Sequence, residues 1–428
     1  MLTAFFVFHR VMESTIQPSK KISGKIVVPP SKSHAQRVLA CALISENQTI
    51  IHNLGASNDE VAALNIVKSS NRKVEEKAAS IIISGKGDFQ IPEGKVDFHE
   101  SGLSSRMFTP ILATSSQELE LVGSGSLLTR PMDIFDELFP RLGVDFKSEK
   151  GKLPFKVQGP MQTQNIEIDG SLSSQFITGF IYGFCGSKSL ENQQMKLINP
   201  KSVPYIELSL DVLKEFGVDL KIENNTIQFN GPYNFQPTEI HIEGDWSSAS
   251  FFLVAAAILG ELTFTNMNPN SCQADIKMLE AIEDFGAQVS WKGCELMVQK
   301  NQSKGFEFDA TDCPDLFPPL AVLASFADGE SRIRGVKRLF AKESDRAATI
   351  QSELGKLGAN IRVEEDIMIV HPAGQPKSFQ VDSCNDHRIA MACAIYGLKL
   401  DQSIEISNAE AVNKSFPSFY ELLKSVIS

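Results

Sequence analysis

The chain lacks any stretch apolar enough to cross a membrane. Over 428 residues the longest uninterrupted apolar run, Phe251 to Leu259, is nine residues, and a span needs about 20. Cysteine is sparse and unpatterned. The seven residues, Cys41, Cys185, Cys272, Cys294, Cys313, Cys384 and Cys393, are odd in number and form neither a C-x-x-C pair nor a Cys/His ligand cluster. That removes the signal for a zinc site and predicts a reducing compartment. Positive charge is outweighed: 41 Lys+Arg against 52 Asp+Glu give a net charge of -11, the wrong sign for a general binder of polyanions, so nucleic acid is not expected as a partner. The motifs of several large enzyme classes are also missing. There is no G-x-x-x-x-G-K-[ST] loop, no complete G-x-G-x-x-G (Gly123-Ser124-Gly125 stops short), no G-x-S-x-G elbow and no H-E-x-x-H. Nucleotide-driven phosphoryl transfer, dinucleotide redox chemistry, hydrolase triads and zinc hydrolysis therefore lose support. The apolar stretch Leu2 to Phe8 has no basic region before it and no small-residue cleavage site after it. It fails as a signal peptide; the chain is expected to be cytoplasmic, with Met12 as an alternative start.

What is present is ordinary globular composition, 42% hydrophobic and 22% charged, in a length that predicts two or three domains at about 150 residues each. Within it lies a repeat. Six times a polar or Gly/Pro turn leads into an Ala-rich apolar run of helical length, starting at Ser31, Ser101, Gly170, Gly244, Pro314 and Asn385, with spacings of 70, 69, 74, 70 and 71 residues. A second marker keeps step: amphipathic segments end on Gly143, Gly217, Gly286 and Gly358, each where a helix C-cap needs positive φ. Alternating stretches follow, such as Val218 to Phe229 and Ile361 to Val370, with Asn224-Asn225 and Glu364-Glu365-Asp366 as turn candidates, and these predict β-hairpins. Six units of helix, strand, helix and paired strands predict two lobes of three units. The boundary is expected near Glu239 to Glu243, where no Pro-rich or Gly/Ser-rich linker stands.

The helix starts hold polar residues directly ahead of apolar runs. A helix N-terminus offers free N–H groups and the positive end of the dipole, hence an anion site. In the first unit Ser31-Lys32-Ser33 and Arg37 add a hydroxyl, an ammonium and a guanidinium to it. Elsewhere stand Glu100-Ser101-Gly102-Leu103-Ser104-Ser105-Arg106, Arg130-Pro131, Ser173-Ser174-Gln175, Lys342-Glu343-Ser344-Asp345-Arg346, Asp386-His387-Arg388 and Lys414-Ser415-Phe416-Pro417. Taken singly these are caps and surface charges. If two lobes face each other with helix starts inward, at least seven cations converge on one cleft, a site for substrates carrying several negative charges. Asp315, Glu343 and His387 are the acid/base candidates among them.

In these motifs, with Asp169 to Gln175, Ser202-Val203-Pro204-Tyr205, Glu243-Gly244-Asp245 and Pro314-Asp315, the sequence resembles the 5-enolpyruvylshikimate-3-phosphate synthase family of enolpyruvyl transferases from about Met12 to Ser428. The resemblance implies an α/β fold of two inside-out lobes, each with three βαβαββ copies, the lobes running 1–28 plus 244–428 and 29–243. It implies transfer of the enolpyruvyl group of phosphoenolpyruvate to the 5-hydroxyl of shikimate 3-phosphate, with phosphate released through a tetrahedral intermediate and without metal or organic cofactor. Carried over by position, Lys32, Ser33, Arg37, Ser173, Ser174, Gln175, Ser202, Tyr205, Asp315 and Lys342 hold shikimate 3-phosphate. Lys32, Gly102, Arg130, Gln175, Arg346, His387, Arg388 and Lys414 surround phosphoenolpyruvate. Asp315 takes the 5-hydroxyl proton, Glu343 handles the proton at C3, and Lys32 completes the catalytic set. The partners are thus two small molecules, with no nucleic acid or membrane, and internal pseudo-symmetry predicts a monomer.

Three positions depart from the family pattern. Glu100 replaces a common Asn and puts negative charge beside the phosphoenolpyruvate pocket, which weakens anion binding unless Arg106 or Arg130 pairs with it. Met107 stands where many relatives carry Pro, and Arg338 where some place an Asn. The sister family acting on UDP-N-acetylglucosamine shares the fold, but carries a cysteine just before its Arg-Pro, and here none lies between Cys41 and Cys185. A non-catalytic anion-binding protein on the same fold would be marked by loss of Lys32, Asp315, Glu343 or Lys414, and all four are present. An RNA-processing enzyme of related architecture is opposed by the net charge of -11.

Overall fold

The computed structural model describes residues 13–340 and 342–427. The expectations for Leu2 to Phe8 and for an alternative start at Met12 fall outside the described residues. The six apolar runs are helices: Lys32–Ile44 (α1), Gly102–Leu112 (α2), Ser174–Gly186 (α3), Trp246–Leu259 (α4), Phe317–Ser325 (α5) and His387–Gly397 (α6). Side-chain oxygens cap five of them, those of Ser31, Ser101, Ser173, Asp245 and Asp386, which satisfies N–H groups that have no partner within the helix. The sixth, α5, is entered through a short 3-10 turn, Pro314–Leu316. Every residue of α2, α4 and α6 is buried. Uniformly apolar helices belong inside, and the sheets cover them: Lys152–Gln158 alternates exposed and buried along its whole length.

Each unit builds one sheet, and the six sheets share a plan. Two parallel strands joined through the buried helix are extended by an antiparallel hairpin, as in the order 95–97, 119–122, 152–158, 145–149, where Val96 faces Leu121 and Leu119 faces Val157. The glycines expected as caps, Gly143, Gly217, Gly286 and Gly358, all have positive φ, from 72° to 105°. Asn224 and Asn225 turn the 222–230 hairpin with φ of 50° and 56°, the paired left-handed residues that such a two-residue turn requires. The sixth sheet departs from the plan: it has three strands, with Ser14–Ile16 pairing antiparallel to Ile404–Ser407 in place of a hairpin.

Two strands are exchanged along the chain. Ile22–Val27 is the first strand of the fourth sheet, parallel to Gly260–Thr265, and Thr238–His241 is the first strand of the first sheet, parallel to Thr49–His52. The buried hydrophobic residues divide accordingly into two cores, one from Ala35 to Ile242, the other from Ile16 to Val28 together with Trp246 to Val426. The chain crosses between them twice, and the crossings are tied together: Ser31 N–H donates to the Glu243 carbonyl at 2.7 Å and Asp245 N–H to the Pro29 carbonyl at 2.8 Å. Gly244 passes so close to the Asn266 carbonyl that any side chain would collide with it. Among the described residues no helix is long and apolar enough to cross a membrane.

Candidate active site

The starts of all six buried helices line one cleft between the cores, contributed by Lys32 and Ser33, Gly102, Ser173 to Gln175, Asp245 and Ser247, Pro314 and Asp315, and His387 and Arg388. Asp245 stands at the junction. One of its oxygens caps α4 through Ser248 N–H at 2.7 Å, and the other accepts from Lys32 N–H of α1 at 3.1 Å, so one carboxylate organises a helix start in each core. Seven cations line the cleft among the described residues: Lys32, Arg37, Arg106, Arg130, Arg338, Lys342 and Arg388.

The two candidate proton carriers sit among them. Asp315 Oδ1 accepts from Arg346 at 2.8 Å and Lys342 at 3.1 Å, and its Oδ2 from Arg388 at 3.0 Å. Burial, the largest influence, favours its neutral form, but Arg388, Lys342 and Arg346 together overcome that and hold the carboxyl well below its usual range. Glu343 lies 2.5 Å from Arg346 and 3.7 Å from Arg130. Against the same effect of burial, Arg346 and Arg130 hold it well below the usual carboxylate range too. Lys32 is paired with Asp59 at 2.9 Å. Burial, the largest influence, pulls its ammonium down, but Asp59 and Glu343 together outweigh burial and the nearby Arg388, and the group stays protonated with its pKa raised.

A family model described as EPSP synthase (3-phosphoshikimate 1-carboxyvinyltransferase) matches residues 16–423. The 3-phosphoshikimate 1-carboxyvinyltransferase of Clostridium kluyveri is 32% identical over 416 residues, covering 96% of each chain, and that of Pyrococcus abyssi 33% over 419 residues, covering 97% of this chain and 98% of its own. The chain belongs to the EPSP synthase family. The solved EPSP synthase of Acinetobacter baumannii is 26% identical and superposes with a TM-score of 0.80 over 97% of this chain and 98% of that one, so the two-lobed α/β fold is common to both.

Within this family member the cleft differs from the motif carry-over at several places. Arg346 does not face the cleft. Its side chain is fully buried behind the cleft and spends its guanidinium on Asp315, Glu343 and, at 3.0 Å, Asp386. Lys414 is also withdrawn: it pairs with Glu100 at 2.9 Å and donates to the Asn385 carbonyl at 2.9 Å, leaving Ser415 at the cleft wall. The charge of Glu100 is thus met neither by Arg106 nor by Arg130 but by a lysine from the other core, which sequence spacing gave no means of placing nearby. Arg37 lines the cleft with each guanidinium nitrogen donating once, to Ser209 Oγ and to the Ser33 and Tyr205 carbonyls at 2.7 to 3.0 Å, which leaves two of its five N–H groups for a ligand. His387 is buried, and burial followed by Lys32 and Arg388 pushes its pKa well below 6.5, so it is neutral and not one of the cations. Among the described residues neither of its ring nitrogens has a hydrogen-bond partner.

Arg338 crosses from one core to the other, donating to the Ser171 carbonyl at 2.8 Å and to Ser202 Oγ at 3.3 Å. Ser202 holds a left-handed φ of 51°, and its N–H donates to Asp312 of the opposite core at 2.8 Å. Arg106 gives one N–H to Gln175 at 2.9 Å, while its Nε and second terminal nitrogen have no partner among the described residues. Burial, then the neighbouring Arg130, lower its pKa to about 10, which still leaves it charged. Met107 points away into the apolar core. Sequence reasoning missed Asp59 and Asp275. Asp275 is wholly buried, accepts from Tyr205 OH at 3.2 Å and from Ser247 Oγ, and is pushed up to about 6 by burial and the nearby Asp315. The acidic first turn Asp59-Glu60 was visible as part of a capping box begun by Ser57; nothing local marked Asp275.

Proposed function

We propose that the chain transfers the enolpyruvyl group of phosphoenolpyruvate to the 5-hydroxyl of shikimate 3-phosphate and releases phosphate. The observation that carries this reading is the pair of ionised carboxylates, Asp315 and Glu343, set among the seven cations that line the cleft, among the described residues, where six helix starts meet. Such a cleft suits two anions at once and gives each a proton carrier. Ser33, Ser173, Ser174, Ser202, Tyr205 and Lys342 surround shikimate 3-phosphate in this reading, with Arg37 and Arg338 bracing them. Gly102, Arg130, Gln175, His387 and Arg388 surround phosphoenolpyruvate, and Lys32 lies between the two.

The bond changes follow from those places. Asp315, as the carboxylate, removes the 5-hydroxyl proton as that oxygen bonds to C2 of phosphoenolpyruvate, and Glu343, which takes up a proton from solvent once both anions are bound, delivers it to C3, giving a tetrahedral intermediate. Glu343 then takes a proton back from C3 as the C2–O bond to phosphate breaks, the proton held by Asp315 passes to the departing phosphate, which leaves as hydrogen phosphate, and Lys32 and Arg130 stabilise its charge. In the empty cleft both carboxylates are held too acidic to carry protons easily. Two bound anions would offset the surrounding cations and raise both pKa values toward the working range. The complete cleft forms within one chain, which supports a monomer. The same reading divides the lobes at 1–28 plus 244–428 and 29–243, and places the chain in the cytoplasm without metal or organic cofactor. The test is turnover of Asp315→Ala and Glu343→Gln, each expected to lose about 10²- to 10⁴-fold in kcat. Near-wild-type turnover by either variant would overturn its assignment.

A further inference from the structure

Asp275 carries a charge that the fold alone does not explain. It lies wholly buried in the 3-10 turn Ala274–Lys277, and its Oδ1 has no hydrogen-bond partner among the described residues. A carboxylate buried with one oxygen unsatisfied works against folding, and burial followed by the nearby Asp315 raises its pKa to about 6. At neutral pH it is still ionised, and an ionised carboxylate can only accept hydrogen bonds. Its Oδ2 accepts two, from Tyr205 OH at 3.2 Å and from Ser247 Oγ. Tyr205 stands in the first turn of the helix Val203–Glu215, Ser247 in the first turn of α4, and both line the cleft. Burial and then Asp275 push the Tyr205 phenol well above 10, so it keeps its proton. Each hydroxyl has a single hydrogen, and Asp275 takes both. What Tyr205 and Ser247 can offer a ligand is therefore lone pairs, in a cleft whose walls elsewhere are rich in N–H donors.

We propose that Asp275 is a positioning residue that sets the hydrogen-bond polarity of Tyr205 and Ser247, making both hydroxyls acceptors for a ring hydroxyl of shikimate 3-phosphate. The proposal rests on the function argued above for the identity of that substrate, and it adds which of the substrate's groups meets this corner. An oxyanion placed there would face two sets of lone pairs with a buried negative charge behind them. A neutral hydroxyl would find acceptors already aimed, with no reorientation needed on binding. Asp315, which takes the 5-hydroxyl proton in this reading, lies close enough to Asp275 to act on its pKa. The two carboxylates thus address the hydroxyl edge of the ring, one directly and one through Tyr205 and Ser247, and the phosphate and carboxylate of the substrate are left to the cationic walls.

The experiment is steady-state phosphate release by Asp275→Ala, Asp275→Asn, Ser247→Ala and the double variant Asp275→Ala with Ser247→Ala, each with its urea midpoint. Asp275→Ala is expected to raise KM for shikimate 3-phosphate on the order of tenfold, with a smaller change in kcat and with KM for phosphoenolpyruvate within about twofold of wild type. Asp275→Asn keeps one acceptor oxygen and should recover part of that loss. Ser247→Ala should raise the same KM in the wild-type background and add little once Asp275 is gone, because its hydroxyl is then no longer aimed. The sign decides the matter. Removing a negative charge beside an anionic substrate should by itself tighten binding, so an active Asp275→Ala whose KM for shikimate 3-phosphate is unchanged or lower overturns the proposal alone. So does an equal rise in both KM values, or a fall in the urea midpoint with neither KM moved, either of which would make Asp275 part of the framework only. If Asp275→Ala does not fold, Ser247→Ala carries the test, and an unchanged KM there overturns the proposal as well. A folded wild type that releases no phosphate overturns the functional reading, and this assignment with it.

Discussion

Replacing Arg346 should damage the molecule more than replacing any cation that faces the cleft. Its buried guanidinium contacts Asp315 at 2.8 Å, Glu343 at 2.5 Å and Asp386 at 3.0 Å. Arg346→Met would leave three carboxylates, two of them in the cleft wall, without their common counter-ion. Stranding a buried charge in this way costs about 3–5 kcal/mol, whereas Arg346→Lys keeps the charge but loses the forked geometry that reaches all three, at a cost of about 1–3 kcal/mol. With a urea slope of about 3 kcal/mol per molar for a core of this size, the Met variant should lower the denaturation midpoint by about 1 M. The pH dependence sharpens the test. Asp315 and Glu343 are held well below their ordinary values of 3.8 and 4.5, so their contribution is present above those values and is lost only as pH falls through the lower, folded-state ones. Removing Arg346 raises the folded-state values, so acid unfolding of the Met variant should begin at higher pH than in wild type. Equal urea midpoints for wild type and Arg346→Met from pH 4 to 8 would refute the reasoning, since they would mean that these carboxylates are effectively solvated.

Asp275→Asn tests the opposite kind of carboxylate. Its pKa is raised from 3.8 to about 6, so its favourable contribution is present below the unfolded value and is lost as pH rises through about 6. The Asn variant should therefore gain stability relative to wild type between pH 4 and 7, and a pH-independent difference in urea midpoints would contradict this. Gly102→Ala acts by volume: a Cβ there would lie 2.5 Å from Arg130 Nη1 and must push that guanidinium aside. The expected result is a rise of about 10- to 100-fold in KM for phosphoenolpyruvate with little change in the urea midpoint, and an unchanged KM would show that Arg130 is not a ligand.

The parts of this structure that were legible in the sequence are those governed by local chemistry. A Ser or Asp ahead of an Ala-rich run announces a helix start, and glycines at 143, 217, 286 and 358 announce helix ends because each adopts a left-handed φ. Most residues that line the cleft were legible for the same reason, since they sit at or near those starts. The remainder depends on what packing brings together. Ser14–Ile16 completes a sheet with Ile404–Ser407, a pairing that no local pattern encodes. The pairings of Arg346 and Lys414 were not legible, because a cation beside a turn looks the same whether it faces open cleft or a carboxylate from elsewhere in the fold. Only the approach of Asp386 and Glu100, from elsewhere in the fold, decided between the two. Asp59 was hidden in another way: it lies in the first turn of a helix capped by Ser57 and Glu60, where an acidic residue is ordinary, and its pairing with Lys32 joins two helix starts of the same core.

The most direct test of the central claim, that six helix starts build one site for two anions that react together, is phosphate release by the purified chain. It should be followed with shikimate 3-phosphate and phosphoenolpyruvate together, with each alone, and with a chelator present. Release is expected only when both are supplied, undiminished by the chelator. Release from phosphoenolpyruvate alone, or none with the pair, would contradict it.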